Sequence, residues 1–140
     1  MSFVKKAEFV STLLGNAGIT EHTEALETAV SRGWAERQDT ESADMDISRI
    51  EAARILHLFL QKEMCIADLP DISGASVLRD LYDCRVCVNH IAQVYLRGLM
   101  EAHEIKGISE ERFLIFEGKE KLTAAEAEKI YGCPECVKEK

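Results

Sequence analysis

Residues 47–60, Ile-Ser-Arg-Ile-Glu-Ala-Ala-Arg-Ile-Leu-His-Leu-Phe-Leu, contain the clearest structural signal in this 140-residue chain. Ser48 and Glu51 have the Ser-x-x-Glu spacing of a capping box, in which each side chain accepts a hydrogen bond from the other residue's backbone N–H. The apolar residues that follow recur at helical spacing. The stretch predicts a helix from Ser48 to about Met64, with one face in the core.

Further helix signals lie on both sides of this stretch. Residues 123–126, Thr-Ala-Ala-Glu, form a second capping box, and residues 5–8, Lys-Lys-Ala-Glu, open a similar Ala-containing run without the capping hydroxyl. Residues 24–34 and 90–100 are amphipathic, and both end on Arg-Gly followed by a large apolar residue. The expected helices span residues 3–14, 21–32, 48–64, 75–83, 88–101 and 123–131.

The fold class follows from what surrounds these helices. Residues 35–46 are polar and acidic and are expected to form a loop, whereas residues 109–116 fit either a helical turn or a short extended piece. No alternating pattern is long enough to predict a sheet. The repeated order of helix types indicates stacked units that share a core. We therefore expect a single all-α domain of tandem helical repeats, packed as one compact domain with one inserted helix.

This order of segments resembles the S-layer homology (SLH) domain, in which a helix ending near Gly-Ile or Gly-Leu leads through a loop to a Thr-Arg-Ala-Glu helix. The resemblance is clearest over residues 21–64 and looser over residues 66–131. It implies an incomplete repeat at 1–19, a first repeat at 20–64, a second repeat at 65–132 with an insertion at about 74–87, and a Cys-x-x-Cys tail at 133–140.

The resemblance also implies a binding site. SLH modules typically anchor exported proteins to anionic cell-wall polymers, and the arginine of the motif helps to bind the acidic sugar. Arg49 matches that arginine, Lys6 is a partial substitute, and Ala124 lacks the basic group. Trp34, which follows an Arg-Gly turn, fits either a groove or the core of a small helical domain. The expected binding groove is formed by Arg49, Trp34 and Lys6.

Charge and motif content narrow the function. The formal net charge is −8, which argues against nucleic acid, anionic membranes and anionic polymers as partners. No apolar run has the length of a membrane span, and residues 1–18 lack the apolar run of a signal peptide, so we expect a cytoplasmic protein. No Ser/His/Asp ordering, Gly-rich phosphate loop or metalloprotease motif is present, so we expect no catalysis.

Two Cys-x-x-Cys pairs, Cys84/Cys87 and Cys133/Cys136, are candidates for chemistry. Four thiolates can hold a structural zinc ion tetrahedrally, and His90 is an alternate ligand because it lies three residues after Cys87. Free thiols, and a disulfide or redox role, are the other two interpretations. The sequence leaves these three alternatives open.

The functional expectation is a non-catalytic SLH-like interaction or scaffold module that binds a protein partner or a second copy of itself, with zinc as its only candidate cofactor. A thiol- or zinc-responsive regulatory protein is the alternative, and a carbohydrate-binding module for cell-wall polymer is the third. Cys65, which follows the predicted core helix, is expected to be a small buried side chain.

Overall fold

Helices form most of the described residues, 2–20, 23–109 and 111–138, in the computed structural model. The α-helices there are α1 (Lys6–Asn16), α2 (Ala25–Ser31), α3 (Arg49–Lys62), α4 (Val88–Leu96) and α5 (Ala124–Tyr131). Short 3-10 helices lie at Arg37–Ser42, Ser73–Val77, Leu81–Asp83, Arg85–Cys87 and Pro134–Cys136. The strands are β1 (His103–Lys106) and β2 (Arg112–Ile115). Residues 21 and 22 of the predicted second helix lie outside the described ranges.

The two strands correct the expectation of an all-α fold. They pair antiparallel, with His103 opposite Ile115 and Lys106 opposite Arg112. Each strand has only four residues, so neither shows enough alternation to be recognised in the sequence. The protein is therefore mixed, mostly helical with one small hairpin.

Both predicted capping boxes are confirmed. The Ser48 hydroxyl accepts from the Glu51 amide at 3.2 Å, and a Glu51 carboxylate oxygen accepts from the Ser48 amide at 3.0 Å. The same reciprocal pair joins Thr123 and Glu126, at 3.1 Å in each direction. Helix α1 starts after Lys5 with no side-chain cap. The local hydrogen bonds that define these starts need only neighbouring residues, which is why the sequence predicts them correctly.

The two Arg-Gly helix ends also share one geometry. Gly33 and Gly98 have φ angles of +90° and +75°, which glycine adopts without the strain that a Cβ atom introduces. The backbone amide of the residue after each glycine donates a hydrogen bond to a carbonyl of the preceding helix. The Trp34 amide donates to the Ala29 carbonyl at 3.1 Å, and the Leu99 amide donates to the Val94 carbonyl at 2.9 Å. Helix α4 therefore stops short of the predicted end at residue 101.

The predicted helix of the insertion is replaced by two 3-10 helices. Between them, Leu78 leaves helical geometry and forms a parallel bridge with Leu114 of β2. The Asp80 carboxylate then accepts hydrogen bonds from the amides of Phe116 and Glu117, at 2.7 and 2.8 Å. These tertiary contacts with the hairpin outweigh the weak helical preference of the segment.

The starts of α1, α3 and α5 meet in a structure that we call the helix-start ring, formed by residues 2–5, 46–48 and 121–124. The Ile47 amide donates to the Val4 carbonyl at 2.9 Å, and the Leu122 amide donates to the Ile47 carbonyl at 3.0 Å. The Ala124 amide closes the ring on the Ser2 carbonyl at 2.9 Å. Because Val4, Ile47 and Leu122 are all buried, the ring is part of the core.

Most buried side chains are apolar, and they come from all five of the α-helices given above. The largest of the fully buried apolar side chains are Trp34, Phe9, Phe59, Phe116, Leu13, Leu14, Ile47, Ile55, Leu56 and Leu60.

Candidate functional site

The three residues of the expected groove are all buried. The exposed fractions of Lys6, Trp34 and Arg49 are 2%, 0% and 0%. None of these side chains offers a surface to a ligand in this conformation, so each has to be understood from the groups that surround it.

Lys6 lies in the first turn of α1 and points into a polar cluster. Its ammonium donates to Asp39 at 2.9 Å and to the Ser42 hydroxyl at 2.7 Å, and it is ion-paired with Glu51. The first two partners belong to the 3-10 helix in the acidic segment 35–46, and Glu51 is the capping residue of α3. Lys6 therefore joins α1, this 3-10 helix and α3 by buried polar contacts.

Asp39 is the centre of this cluster. It receives two hydrogen bonds from the Arg54 guanidinium, at 2.8 and 2.9 Å, and one from the Glu36 amide at 2.8 Å, besides the bond from Lys6. Burial disfavours the charged carboxylate, but the bonds from Arg54, Glu36 and Lys6 outweigh it and hold the pKa of Asp39 well below its ordinary value. Asp39 is therefore ionised, and it is a structural anchor in a segment expected to be a solvated loop.

Arg49 connects α3 to the hairpin and to α5. Its Nε donates to the Phe116 carbonyl at 2.8 Å, its Nη2 donates to the Glu101 carbonyl, and its Nη1 is ion-paired with Glu126. The guanidinium also lies 4.8 Å from the centroid of the Phe116 ring, a favourable cation–π distance. Nε and Nη2 of Arg49 thus donate to backbone carbonyls, whereas Nη1 faces the Glu126 carboxylate without forming a hydrogen bond.

Trp34 anchors the end of α2 in the core. Its ring packs edge-on against Phe59, with centroids 4.9 Å apart, and its Nε1 donates to Glu63 at 3.2 Å. The Arg32 guanidinium binds the same carboxylate. The contact geometry is that of a core tryptophan with one satisfied polar group.

The two cysteine pairs differ in state. Cys84 and Cys87 form a disulfide, whereas Cys133 and Cys136 are free. Cys136 is fully buried, and burial raises the pKa of its thiol to about 12. Within residues 2–20, 23–109 and 111–138, no group of three or more His, Cys, Asp or Glu side chains is arranged to hold a metal ion. This geometry gives no support to the predicted zinc site formed by the two Cys-x-x-Cys pairs.

Cys65 corrects the expectation of a buried side chain. It follows α3 with a φ angle of +56°, which turns the chain out of the helix direction. The residue is exposed and its thiol is free.

His90, the alternate metal ligand expected from the sequence, belongs to a row of hydrogen-bonded polar side chains that the sequence did not predict. Its Nδ1 lies 2.8 Å from Nδ1 of His57, whose Nε2 lies 2.7 Å from Asp68. Burial is the main cause that lowers the pKa of His90 to about 4, and the neighbouring His57 and Arg54 side chains add to the effect. Because His57, Asp68 and His90 come from separate segments of the sequence, only the folded structure shows that their side chains lie together.

Among the described residues, two clefts border the helix-start ring and the Cys84–Cys87 disulfide. The first, here called the ring cleft, has a volume of about 400 Å³ beside the helix-start ring. Phe3, Leu99 and Met100 supply its apolar lining. Its carboxylates and cations are Glu101, Glu117, Glu120, Glu126, Lys121, Lys129 and His103. Because these residues come from well-separated parts of the sequence, no local motif predicts the cleft.

The second cleft, here called the disulfide cleft, has a volume of about 330 Å³. Cys84 and Cys87 line it together with the apolar side chains of Ile50, Ile91 and Phe116. Acidic groups, including Asp80 and Asp83, also contribute to the wall. A half-buried disulfide therefore faces a cavity large enough for a small group of a partner molecule.

Comparisons of the chain with protein-family models, with curated proteins and with solved structures found no match. Among the described residues, no helix is both long enough and apolar enough to cross a bilayer.

Proposed function

We propose that this protein is a non-catalytic, SLH-like interaction module whose ring cleft binds a basic segment of a partner protein. The observation that carries the proposal is the ring cleft itself, in which four carboxylates surround an apolar lining. A lysine- or arginine-containing peptide with one apolar side chain fits this combination of charge and lining.

The SLH-like interpretation is supported by the arrangement of charges in the first turns of α1, α3 and α5. The basic residue at the first position of α1, Lys6, is paired with Glu51 at the third position of α3. In the same way, Arg49 at the first position of α3 is paired with Glu126 at the third position of α5. Ala124 has no charge to continue this pattern. The correspondence favours a repeat relation among α1, α3 and α5.

The same pairs favour a cationic ligand over an anionic polymer. The arginine that would meet an acidic sugar in an SLH module is here buried against backbone carbonyls and Glu126. What remains around the cleft is an excess of carboxylates over the ammonium groups of Lys121 and Lys129. The whole chain adds a net charge of −8, which attracts basic segments and repels acidic ones.

We infer a cytoplasmic location for this function. Three of the five cysteines are free thiols, and unpaired cysteines are typical of a reducing compartment. The proposal needs no metal ion.

The test is binding of two fluorescent peptides of equal length, one basic and one acidic, each with a central leucine, measured by anisotropy at low and high salt. We expect the basic peptide to bind more tightly, and salt to weaken its binding. Glu120→Lys reverses an exposed charge in the cleft and should weaken binding several-fold, whereas Glu41→Lys makes the same change on the exposed surface of the acidic segment and should not.

Equal binding of both peptides, or equal effects of the two variants, would contradict the proposal. Preferential binding of an anionic cell-wall polymer would instead favour the carbohydrate-binding function.

A further inference from the structure

We propose that the Cys84–Cys87 disulfide is a reversible thiol–disulfide exchange site that oxidises a dithiol of a partner polypeptide. This inference is independent of peptide binding in the ring cleft. It rests on the position of the disulfide, the surface beside it and the contrast with the second cysteine pair.

The disulfide contributes little as a structural link. It joins residues only three apart in sequence, and the restriction that a cross-link places on the unfolded chain grows with the length of the loop it closes. It does not connect α4 to another helix. Both cysteines are half-buried and line the disulfide cleft, so a thiol of another molecule has a route to the sulfur atoms.

The surface next to the disulfide fits a polypeptide. Val86, between the two cysteines, is 86% exposed, and Tyr82 is 67% exposed. Both side chains lie within two residues of a disulfide cysteine in the sequence. They offer an apolar contact that a partner chain can cover while its thiol reacts.

The local backbone favours one direction of cleavage. Cys87 is the N-cap residue of α4, a helix of nine residues. Amide groups at a helix N-terminus stabilise a nearby thiolate. Attack on Cys84 therefore releases the better leaving group, the thiolate of Cys87.

The second pair has the opposite properties. Cys136 is fully buried, and burial raises the pKa of its thiol, so it remains protonated and shielded. Cys133 donates to the Lys129 carbonyl at 3.2 Å. The Cys133/Cys136 pair is thus suited to packing, whereas Cys84 and Cys87 form the disulfide that lines a cleft.

The exchange has two balanced steps. A partner thiolate attacks Sγ of Cys84, forming a mixed disulfide while the electron pair of the broken bond leaves on Sγ of Cys87. The second partner thiol loses its proton to solvent and attacks the partner's sulfur in the mixed disulfide, and Cys84 leaves as a thiolate. The partner dithiol is oxidised by two electrons and Cys84–Cys87 is reduced to two thiols. A low-molecular-weight disulfide, such as oxidised glutathione, regenerates the site by the reverse chemistry.

The first experiment equilibrates the folded protein with glutathione buffers of different reduced-to-oxidised ratio, followed by acid quenching, alkylation and peptide mass spectrometry. We expect Cys84 and Cys87 to change together from disulfide to two thiols, while Cys136 is alkylated only after denaturation. A bridge that is reduced only in denaturant, or two thiols that remain free in air, would overturn the proposal.

Variants give a second measurement. Cys87→Ser removes the resolving thiol, so incubation with oxidised glutathione should leave one stable glutathione on Cys84. Val86→Ser should slow exchange with a reduced dithiol peptide that has apolar flanks but leave exchange with glutathione unchanged, and Val137→Ser is the matched control at a 42% exposed valine outside the site. No adduct on Cys84, or equal slowing by both valine variants, would contradict the assignment.

Discussion

The ammonium of Lys6 lies 2.9 Å from the carboxylate of Asp39, and both side chains are almost completely buried. Two charges removed from water are stabilised only when further groups satisfy them. Here Arg54 and Ser42 provide those contacts. The acidic segment 35–46 is thereby fixed against α1 and α3, which explains why its 3-10 helix is part of the fold.

Asp39→Ala should destabilise the protein strongly, because it removes the bidentate partner of Arg54 and leaves the buried Lys6 with Glu51 as its remaining counter-charge. Breaking a buried pair in this way costs about 3–5 kcal/mol. The free energy of unfolding from urea titration measures the effect. Glu27→Ala removes a surface pair with Arg37 and should cost less than about 1 kcal/mol. If the two variants lost similar free energies of unfolding, the buried contacts of Asp39 would contribute no more to stability than a surface ion pair.

Acid should destabilise the fold through His90. Its pKa is about 4 in the folded protein, against roughly 6.5 for an unfolded histidine. Between these pH values the unfolded chain binds the proton and the folded chain does not, so the free energy of unfolding falls as pH drops from about 6.5 to about 4. The loss from this group is on the order of 2–3 kcal/mol.

Thermal melting at pH 7 and pH 4.5 tests this assignment. His90→Gln should reduce the difference between the two melting temperatures, because glutamine does not titrate. His103→Gln changes a histidine that is partly exposed beside Glu117 and should reduce it less. An unchanged pH dependence in His90→Gln would assign the acid sensitivity to other groups.

Trp34→Ala should unfold the region around α2 by leaving a large cavity against Phe59, at a cost of about 3–5 kcal/mol. Trp34→Phe keeps much of the packing and loses the hydrogen bond to Glu63, which costs about 1 kcal/mol. Urea titration measures both losses. If Trp34 instead served a ligand groove, Trp34→Ala would weaken peptide binding while leaving the free energy of unfolding unchanged.

Glu126→Gln isolates the ion pair with Arg49 from the capping function of the same residue. Glutamine can still accept a hydrogen bond from the Thr123 amide as the third residue of a capping box. It removes the carboxylate that faces Nη1 of Arg49, however, and leaves only the charges of Glu117, Asp80 and Glu101 to act on this buried guanidinium. We expect a loss of about 3 kcal/mol by urea titration. Thr123→Ala removes the cap alone and should cost about 1 kcal/mol. If Thr123→Ala lowered the free energy of unfolding more than Glu126→Gln, the cap would contribute more to stability than the ion pair.

What the sequence predicted well is local. The capping boxes at Ser48 and Thr123 and the turns at Gly33 and Gly98 depend on residues within one helical turn, so their spacing is enough. For residues 109–116 the sequence left a short extended piece open, and β2 lies there, but β1 and the pairing of the two strands were not predicted. The four-residue strands depend on contacts with a distant segment, including the bond from the Phe116 amide to Asp80.

The candidate site was harder to predict because charged and aromatic residues suggest exposure when partners are unknown. Lys6 and Arg49 are buried because Asp39 and Glu126, distant in sequence, neutralise them. The cysteine spacing was compatible with several states. Only the burial of Cys136 and the bond between Cys84 and Cys87 distinguish the two pairs.

The helix-start ring also sets the order of events during synthesis. Phe3 is bridged to Thr123, so the segment around Phe3 cannot complete its contacts until about 120 residues later, on the order of ten seconds at ribosomal rates. During that interval the apolar face of α1, including Phe9 and Leu13, has no finished core to cover it. We expect the last steps of folding to occur after α5 has been synthesised. Chaperones that recognise exposed apolar segments should bind this chain at α1.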